Sequence, residues 1–154
     1  MIEMARIQEI SDQLEIQNVL ILYCSAIDSK KYDELDYVFT PNAVIDYTSA
    51  GGPRGPFHEI KSWLEKALSL FPMTQHVVHN FDIVVSGDKA TSRCVFYNPM
   101  GLGLHGGNMQ MFFVGGYYND KLVRTAEGWR ITERIEESTW HDGEFPGEIE
   151  VPKL

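Results

Sequence analysis

Residues 109–125, MQMFFVGGYYNDKLVRT, and residues 129–140, WRITERIEESTW, decide the fold. Both runs are dense in β-branched and aromatic side chains, which suit a pleated, half-buried surface, and Glu127-Gly128 between them is a turn signal. Moving back along the chain, Ala90 to Pro99 and Thr74 to Val85 repeat the pattern around the turn Ser86-Gly87-Asp88. Extended runs separated only by short turns predict an antiparallel meander over residues 73–141.

The chain before the meander has a helical period. Phe57, Ile60, Leu64, Ala67, Leu68 and Phe71 share one face of a helix that starts at Pro56 and stops at Pro72, with Glu59, Lys61 and Glu65 on the other face. The glycines and prolines of residues 51–56 form a loop ahead of it. A short helix, Tyr32 to Phe39, is expected to stop at Pro41, followed by a strand from Ala43 to Tyr47. From Ser11 to Asp28 a long amphipathic helix is expected, with Asp12 and Glu15 as a capping-type start and Ile10, Leu14, Ile21, Leu22, Tyr23 and Ile27 inward. Helices first and strands second predict an α+β fold in which three N-terminal helices pack on a curved, mainly antiparallel sheet. No repeat or linker divides the chain, so one domain over residues 1–154 is expected. Its core would span residues 7–145, with a loosely held acidic tail at 146–154.

Composition narrows the partners. The 154 residues carry a net charge of -9, and the basic residues are scattered among acids, so neither nucleic acid nor an anionic membrane surface is an expected partner. No apolar run approaches the roughly 20 residues of a spanning helix. Met1 to Gln8 has the mixed charge of no secretory signal, and Cys24 and Cys94 lie in apolar surroundings as reduced core thiols, which points to the cytoplasm.

Four segments carry a family resemblance: Ile27-Asp28-Ser29-Lys30-Lys31-Tyr32, Ile45-Asp46-Tyr47, Thr74-Gln75-His76 and Glu127-Gly128-Trp129-Arg130-Ile131. In order and spacing they resemble the SnoaL-like branch of the nuclear transport factor 2 superfamily, over about Ile7 to Phe145. Within it the chain is most similar to scytalone dehydratase and, more loosely, to bile-acid dehydratase and hexachlorocyclohexane dehydrochlorinase. The resemblance implies a cone of helices capping a bent sheet around one pocket. It implies His76 as the catalytic histidine, Asp28 as its partner and Tyr47 as the tyrosine that polarises a substrate carbonyl. Asn119 matches a polar asparagine of scytalone dehydratase across a one-residue gap. Two positions depart from that enzyme: Ile27 stands where it has a second tyrosine, and Met100 where it has a second histidine.

Chemically, a histidine titrates near neutrality and can take a proton from a carbon acid and return it to a leaving hydroxide. A carboxylate on the other ring nitrogen fixes the tautomer and stabilises the imidazolium. A phenol at the developing oxyanion completes a site for elimination, with Tyr47 in that place and Tyr23 as its alternate. Tyr23, Asn119, Met100 and Trp63 make up the expected substrate-binding set. Read singly, His76 is an ordinary hydrogen-bonded strand residue, Asp28 a helix-end turn residue and Tyr47 a cross-strand aromatic; the case rests on their combination. His76 and His79 are three apart, which on a strand separates them onto opposite faces, so no metal is expected. The glycines around His105 lack the residues of a phosphate loop and read as a flexible hairpin at the pocket mouth or as a bulge.

The function expected is that of a cofactor-free lyase or isomerase acting on a small hydrophobic carbonyl or hydroxy compound of polyketide, steroid or aromatic origin. The rival is a non-catalytic ligand-binding or assembly module like the small subunits of ring-hydroxylating dioxygenases, which share the fold. A dimer or trimer is expected to cover the open sheet face.

Overall fold

The computed structural model describes residues 2–144 and 152–154. Helix α1 (Ile2–Asp28) is followed by a 3-10 helix (Tyr32–Tyr37), β1 (Phe39–Asp46), β2 (Arg54–Pro56), α2 (Phe57–Leu68), β3 (Met73–Thr74), β4 (Val77–Ser86), β5 (Lys89–Gly103), β6 (Met109–Thr125) and β7 (Gly128–Asp142). The sheet runs β2-β1-β7-β6-β5-β3, with β4 also paired to β5. Among the described residues β1 and β7 run parallel and the other pairs are antiparallel, so the sheet is mixed. The three helices lie against its concave face, and the core between the layers holds Ile16, Leu20, Ile27, Leu35, Phe39, Ile45, Ile60 and Trp129.

Helix α1 differs from the expected one in extent and in rotation. It begins nine residues earlier, at Ile2, and Asp12 is not a cap but a buried mid-helix residue. Arg124 donates to both Asp12 carboxylate oxygens, Nη1 at 2.6 Å and Nη2 at 2.8 Å, and the Trp129 indole donates at 3.2 Å. The Arg124 hydrogen bond holds the Asp12 carboxyl at about 2, below the usual carboxylate range. That polar anchor sets the face: Asp12, Ile16, Val19, Leu20, Tyr23, Cys24 and Ile27 point inward. Leu14 lies two positions, roughly 200°, from both Asp12 and Ile16, and so faces out. Ile10, Leu14 and Ile21, expected inside, are 52%, 55% and 47% exposed.

The second helix is a 3-10 turn that ends at Tyr37, and Phe39 opens β1 instead of closing the helix. Pro41 therefore sits inside a strand, at the irregularity between Phe39 and Val44 where β1 loses register with β7 and no ladder donor is needed. Arg54–Pro56, expected as loop, pairs with β1. At the other end of the chain, residue 145 of the expected core and residues 146–151 of the expected tail lie outside the described residues. Pro152 is held rather than loose: its carbonyl accepts the Trp63 indole N–H at 2.6 Å. Cys24 and Cys94 are free and buried, with no disulfide.

Strand β7 carries two bulges that govern what it presents. Leu122 pairs with Ile131 but Lys121 with Glu133, so Thr132 is an extra residue. The insertion flips the alternation: Trp129 and Ile131 face the core, then Arg134 and Glu136, while Ile135 is 45% exposed. A second slip comes between Gly115 and Gly116. Gly116 is fixed by close approach there, because a Cβ would run into the Glu137 carbonyl oxygen.

Candidate functional site

A cavity of about 290 Å³ opens between the helices and the concave sheet face. Trp63, Leu64, Ala67 and Leu68 of α2, with Phe71, form one wall, and Phe96, Met100, Phe112 and Val114 form the sheet side. Tyr23, Ile27, Tyr47, His76, Asn98, Tyr118 and Glu136 also line it, with Leu70 and the loop residues Ala50, Gly51 and Gly52.

His76 lies in a two-residue break, not in a continuous strand as the sequence suggested. Thr74 pairs with Met100 and Val77 with Tyr97, and between them Gln75 and His76 form no residue pair with β5, although the Gln75 N–H still donates to the Pro99 carbonyl at 3.0 Å. The break brings His76 to the C-terminal residue of α1. The Asp28 carboxylate accepts from the His76 backbone N–H at 2.7 Å and from the Thr74 hydroxyl at 3.0 Å, and its Oδ1 lies 2.7 Å from His76 Nδ1. Burial pushes the Asp28 carboxyl up, but the His76 ring and these other donors outweigh it and hold it below the ordinary carboxylate value. An ionised Asp28 calls for the proton on Nδ1, so that in the neutral form of this cavity-lining ring the lone pair is on Nε2.

Tyr23 stands edge-on to the His76 ring, centroids 6.2 Å apart, and its hydroxyl is 2.8 Å from that of Tyr47. Burial pushes the Tyr23 phenol up to about 12 and Tyr47 well above its ordinary 10, so both remain neutral donors. Beneath them Arg134, fully buried, makes a two-pronged ion pair with Asp120 at 2.8 and 2.7 Å. Its guanidinium carbon lies 4.3 Å from the Tyr23 ring centre and 4.2 Å from that of Tyr118.

Of the residues singled out by sequence, His76, Asp28, Tyr47 and Tyr23 come together, and Met100 and Trp63 line the same cavity. Asn119 does not. Its neighbour Tyr118 faces inward, so strand alternation turns Asn119 to the outer sheet face. There it accepts from Arg93 at 2.5 Å and donates to the Ile135 carbonyl at 3.4 Å. Sequence reasoning missed Asn98, Glu136 and Arg134. Asn98 is 7% exposed and its Oδ1 has no hydrogen-bond donor among the described residues. It follows Cys94 and Phe96 in strict alternation, a signal that was legible. Burial pushes the Glu136 carboxyl up to about 7 against the pull of Arg134. Among the described residues no cluster of three His, Cys, Asp or Glu side chains has the arrangement to hold a metal, and no helix is long and apolar enough to cross a membrane.

Comparison with known proteins places this geometry. A SnoaL-like domain family matches residues 8–135. The uncharacterized protein Rv2910c of Mycobacterium tuberculosis (strain H37Rv) is 47% identical over 133 residues, covering 86% of this chain and 89% of its own. The crystal structure of Kfla4162 from Kribbella flavida superposes with a TM-score of 0.78 at 24% identity, covering 86% of this chain and 93% of that one. A scytalone dehydratase-like protein from Novosphingobium aromaticivorans gives 0.76 at 19%, covering 94% and 93%. The hexachlorocyclohexane dehydrochlorinase LinA Type2 gives 0.77 at 15%, covering 97% and 99%. With a matching family over most of its length and the α+β cone of these structures, the chain belongs to the SnoaL-like domain family of the nuclear transport factor 2 superfamily.

Proposed function

We propose that the cavity is the active site of a cofactor-independent lyase that eliminates water, or a comparable leaving group, from a small hydrophobic carbonyl compound. The observation that carries this reading is the 2.7 Å contact between His76 Nδ1 and Asp28 Oδ1 at the wall of a mostly apolar cavity. An imidazole so oriented removes a proton from the carbon next to a carbonyl, and Asp28 stabilises the imidazolium. Of the hydrogen-bonded Tyr47 and Tyr23 hydroxyls, the one that accepts from the other keeps its own proton free to donate to the oxygen on which enolate charge develops. Two structural neighbours bear names of eliminations, a dehydration and a dehydrochlorination, and this supports the reaction class. The same base supports a double-bond shift when the proton returns to a different carbon, so isomerisation belongs to the same proposal. Two free thiols suit a reducing compartment such as the cytoplasm.

The test is dehydration of 3-hydroxy-1-tetralone, a two-ring β-hydroxy ketone whose loss of water gives 1-naphthol. Wild type is expected to accelerate it and His76→Ala to lose about 100 to 10,000-fold. Equal rates for the two proteins overturn the reading.

The outer sheet face favours assembly as well. Tyr97 lies between Phe113 and Trp140 in a stack with ring centroids 6.3 and 5.9 Å apart, and Trp140 is 46% exposed. We take a second copy of the chain as the cover for this face, whether or not the cavity is catalytic. A monomer at all concentrations by sedimentation would contradict it.

A further inference from the structure

We propose that Glu136 is the second proton-transfer group of the cavity, a carboxylic acid that protonates the departing oxygen while His76 takes the proton from carbon. The inference rests on the lyase reading and assigns it a separate acid. Three observations on its placement carry it. The bulge at Thr132 turns Glu136 inward, where alternation from Trp129 and Ile131 would have turned it out. It lines the same cavity as His76 but from β7, paired with Tyr118 across the sheet, whereas His76 stands beside β5. No hydrogen bond engages its carboxyl among the described residues, so the group is left for a ligand.

The charged and titratable groups around it are Arg134 on its own strand, Tyr118 on β6, Tyr23 on α1 and Tyr47 after β1. Arg134 favours the ionised form, but its charge is already engaged by Asp120. Burial prevails, and the carboxyl titrates at about 7 rather than at its ordinary 4.5. The neutral acid is therefore well populated near neutrality, as a proton donor must be.

The step balances. His76 Nε2 takes the proton on the carbon next to the carbonyl, and that C–H electron pair becomes the new C=C bond. The C–O bond to the hydroxyl breaks with its pair, and Glu136 gives that oxygen a proton, so water departs. An imidazolium and a carboxylate remain, and transfer of one proton between them through solvent restores both.

The experiment compares wild type, Glu136→Gln and Glu136→Asp in two assays and one titration. One assay is dehydration of 3-hydroxy-1-tetralone; the other is solvent deuterium exchange into 2-tetralone, which needs the base but no leaving group. Glu136→Gln is expected to lose about 100-fold more in dehydration than in exchange, and Glu136→Asp to recover part of the difference. The wild-type dehydration rate is expected to fall as pH rises through about 7, where the donor ionises, and a carboxyl seen by carbon NMR to titrate there in wild type and vanish in Glu136→Gln. Equal losses in both assays, or a Glu136 carboxyl titrating near 4.5, overturn the assignment while leaving the base intact. A wild type without exchange or dehydration overturns both readings.

Discussion

The Asp28 carboxylate grips one histidine twice: Oδ2 accepts the His76 backbone N–H at 2.7 Å and Oδ1 lies 2.7 Å from the ring Nδ1. The backbone contact fixes where the residue sits, and the ring contact fixes the tautomer and the ring's orientation. The strand break is held on its other side by the Gln75 N–H, which donates to the Pro99 carbonyl at 3.0 Å.

Asp28→Asn separates these roles. The amide can still accept from the backbone N–H, so the fold is expected to hold, but it no longer stabilises an imidazolium. Dehydration of 3-hydroxy-1-tetralone should fall by about 100-fold or more with circular dichroism unchanged. A wild-type rate would show that the carboxylate charge is not used.

Asn98 exposes a conflict between stability and function. Its Oδ1 is buried with no donor among the described residues, which costs free energy. Asn98→Leu should raise stability to urea by about 1 kcal/mol and weaken binding of a hydroxylated two-ring ketone. A destabilised variant would mean that the oxygen has a partner in solution, such as an ordered water.

Arg134 and Asp120 form an ion pair with both side chains fully buried. Asp120→Ala leaves the guanidinium charge unpaired and should cost about 3 to 5 kcal/mol in urea unfolding, whereas replacing both residues by apolar ones should cost far less. Equal losses would contradict the pairing. Asn119→Ala, on the outer face, should change stability by less than about 0.5 kcal/mol and leave dehydration unaffected.

The pair of Asp12 and Arg124 contributes to the acid limb of stability. The Asp12 carboxyl is lowered from 3.8 to about 2, so its contribution is present above pH 3.8 and lost as pH falls through about 2. Asp12→Asn should flatten the fall of the melting temperature between pH 4 and pH 2. An unchanged slope would place the stabilisation elsewhere.

Much of this was legible from residue types. The α2 face from Phe57 to Leu68 and the extended runs after Met73 needed only periodicity, and Thr74-Gln75-His76 with Asp28 needed the resemblance. Two kinds of feature were not legible. Helix α1 has apolar residues on more than one face, and its rotation is decided by the bonds of Asp12 to Arg124 and Trp129, each more than 100 positions away in sequence. In β7 the apolar residues Trp129, Ile131 and Ile135 stand at odd positions, and one inserted residue turns Ile135 out and the even positions Arg134 and Glu136 in. That reversal hid Arg134 and Glu136 among what read as solvated charges. Asn119 failed for the related reason that a one-residue slip moves a strand residue to the other face.

The central claim is that His76, held by Asp28, abstracts a proton from carbon. Deuterium incorporation into 2-tetralone measures that step alone, without a leaving group or a known substrate. The account predicts exchange catalysed by wild type above the buffer rate and reduced to that rate in His76→Ala. Exchange that persists in His76→Ala, or none in wild type, would contradict it.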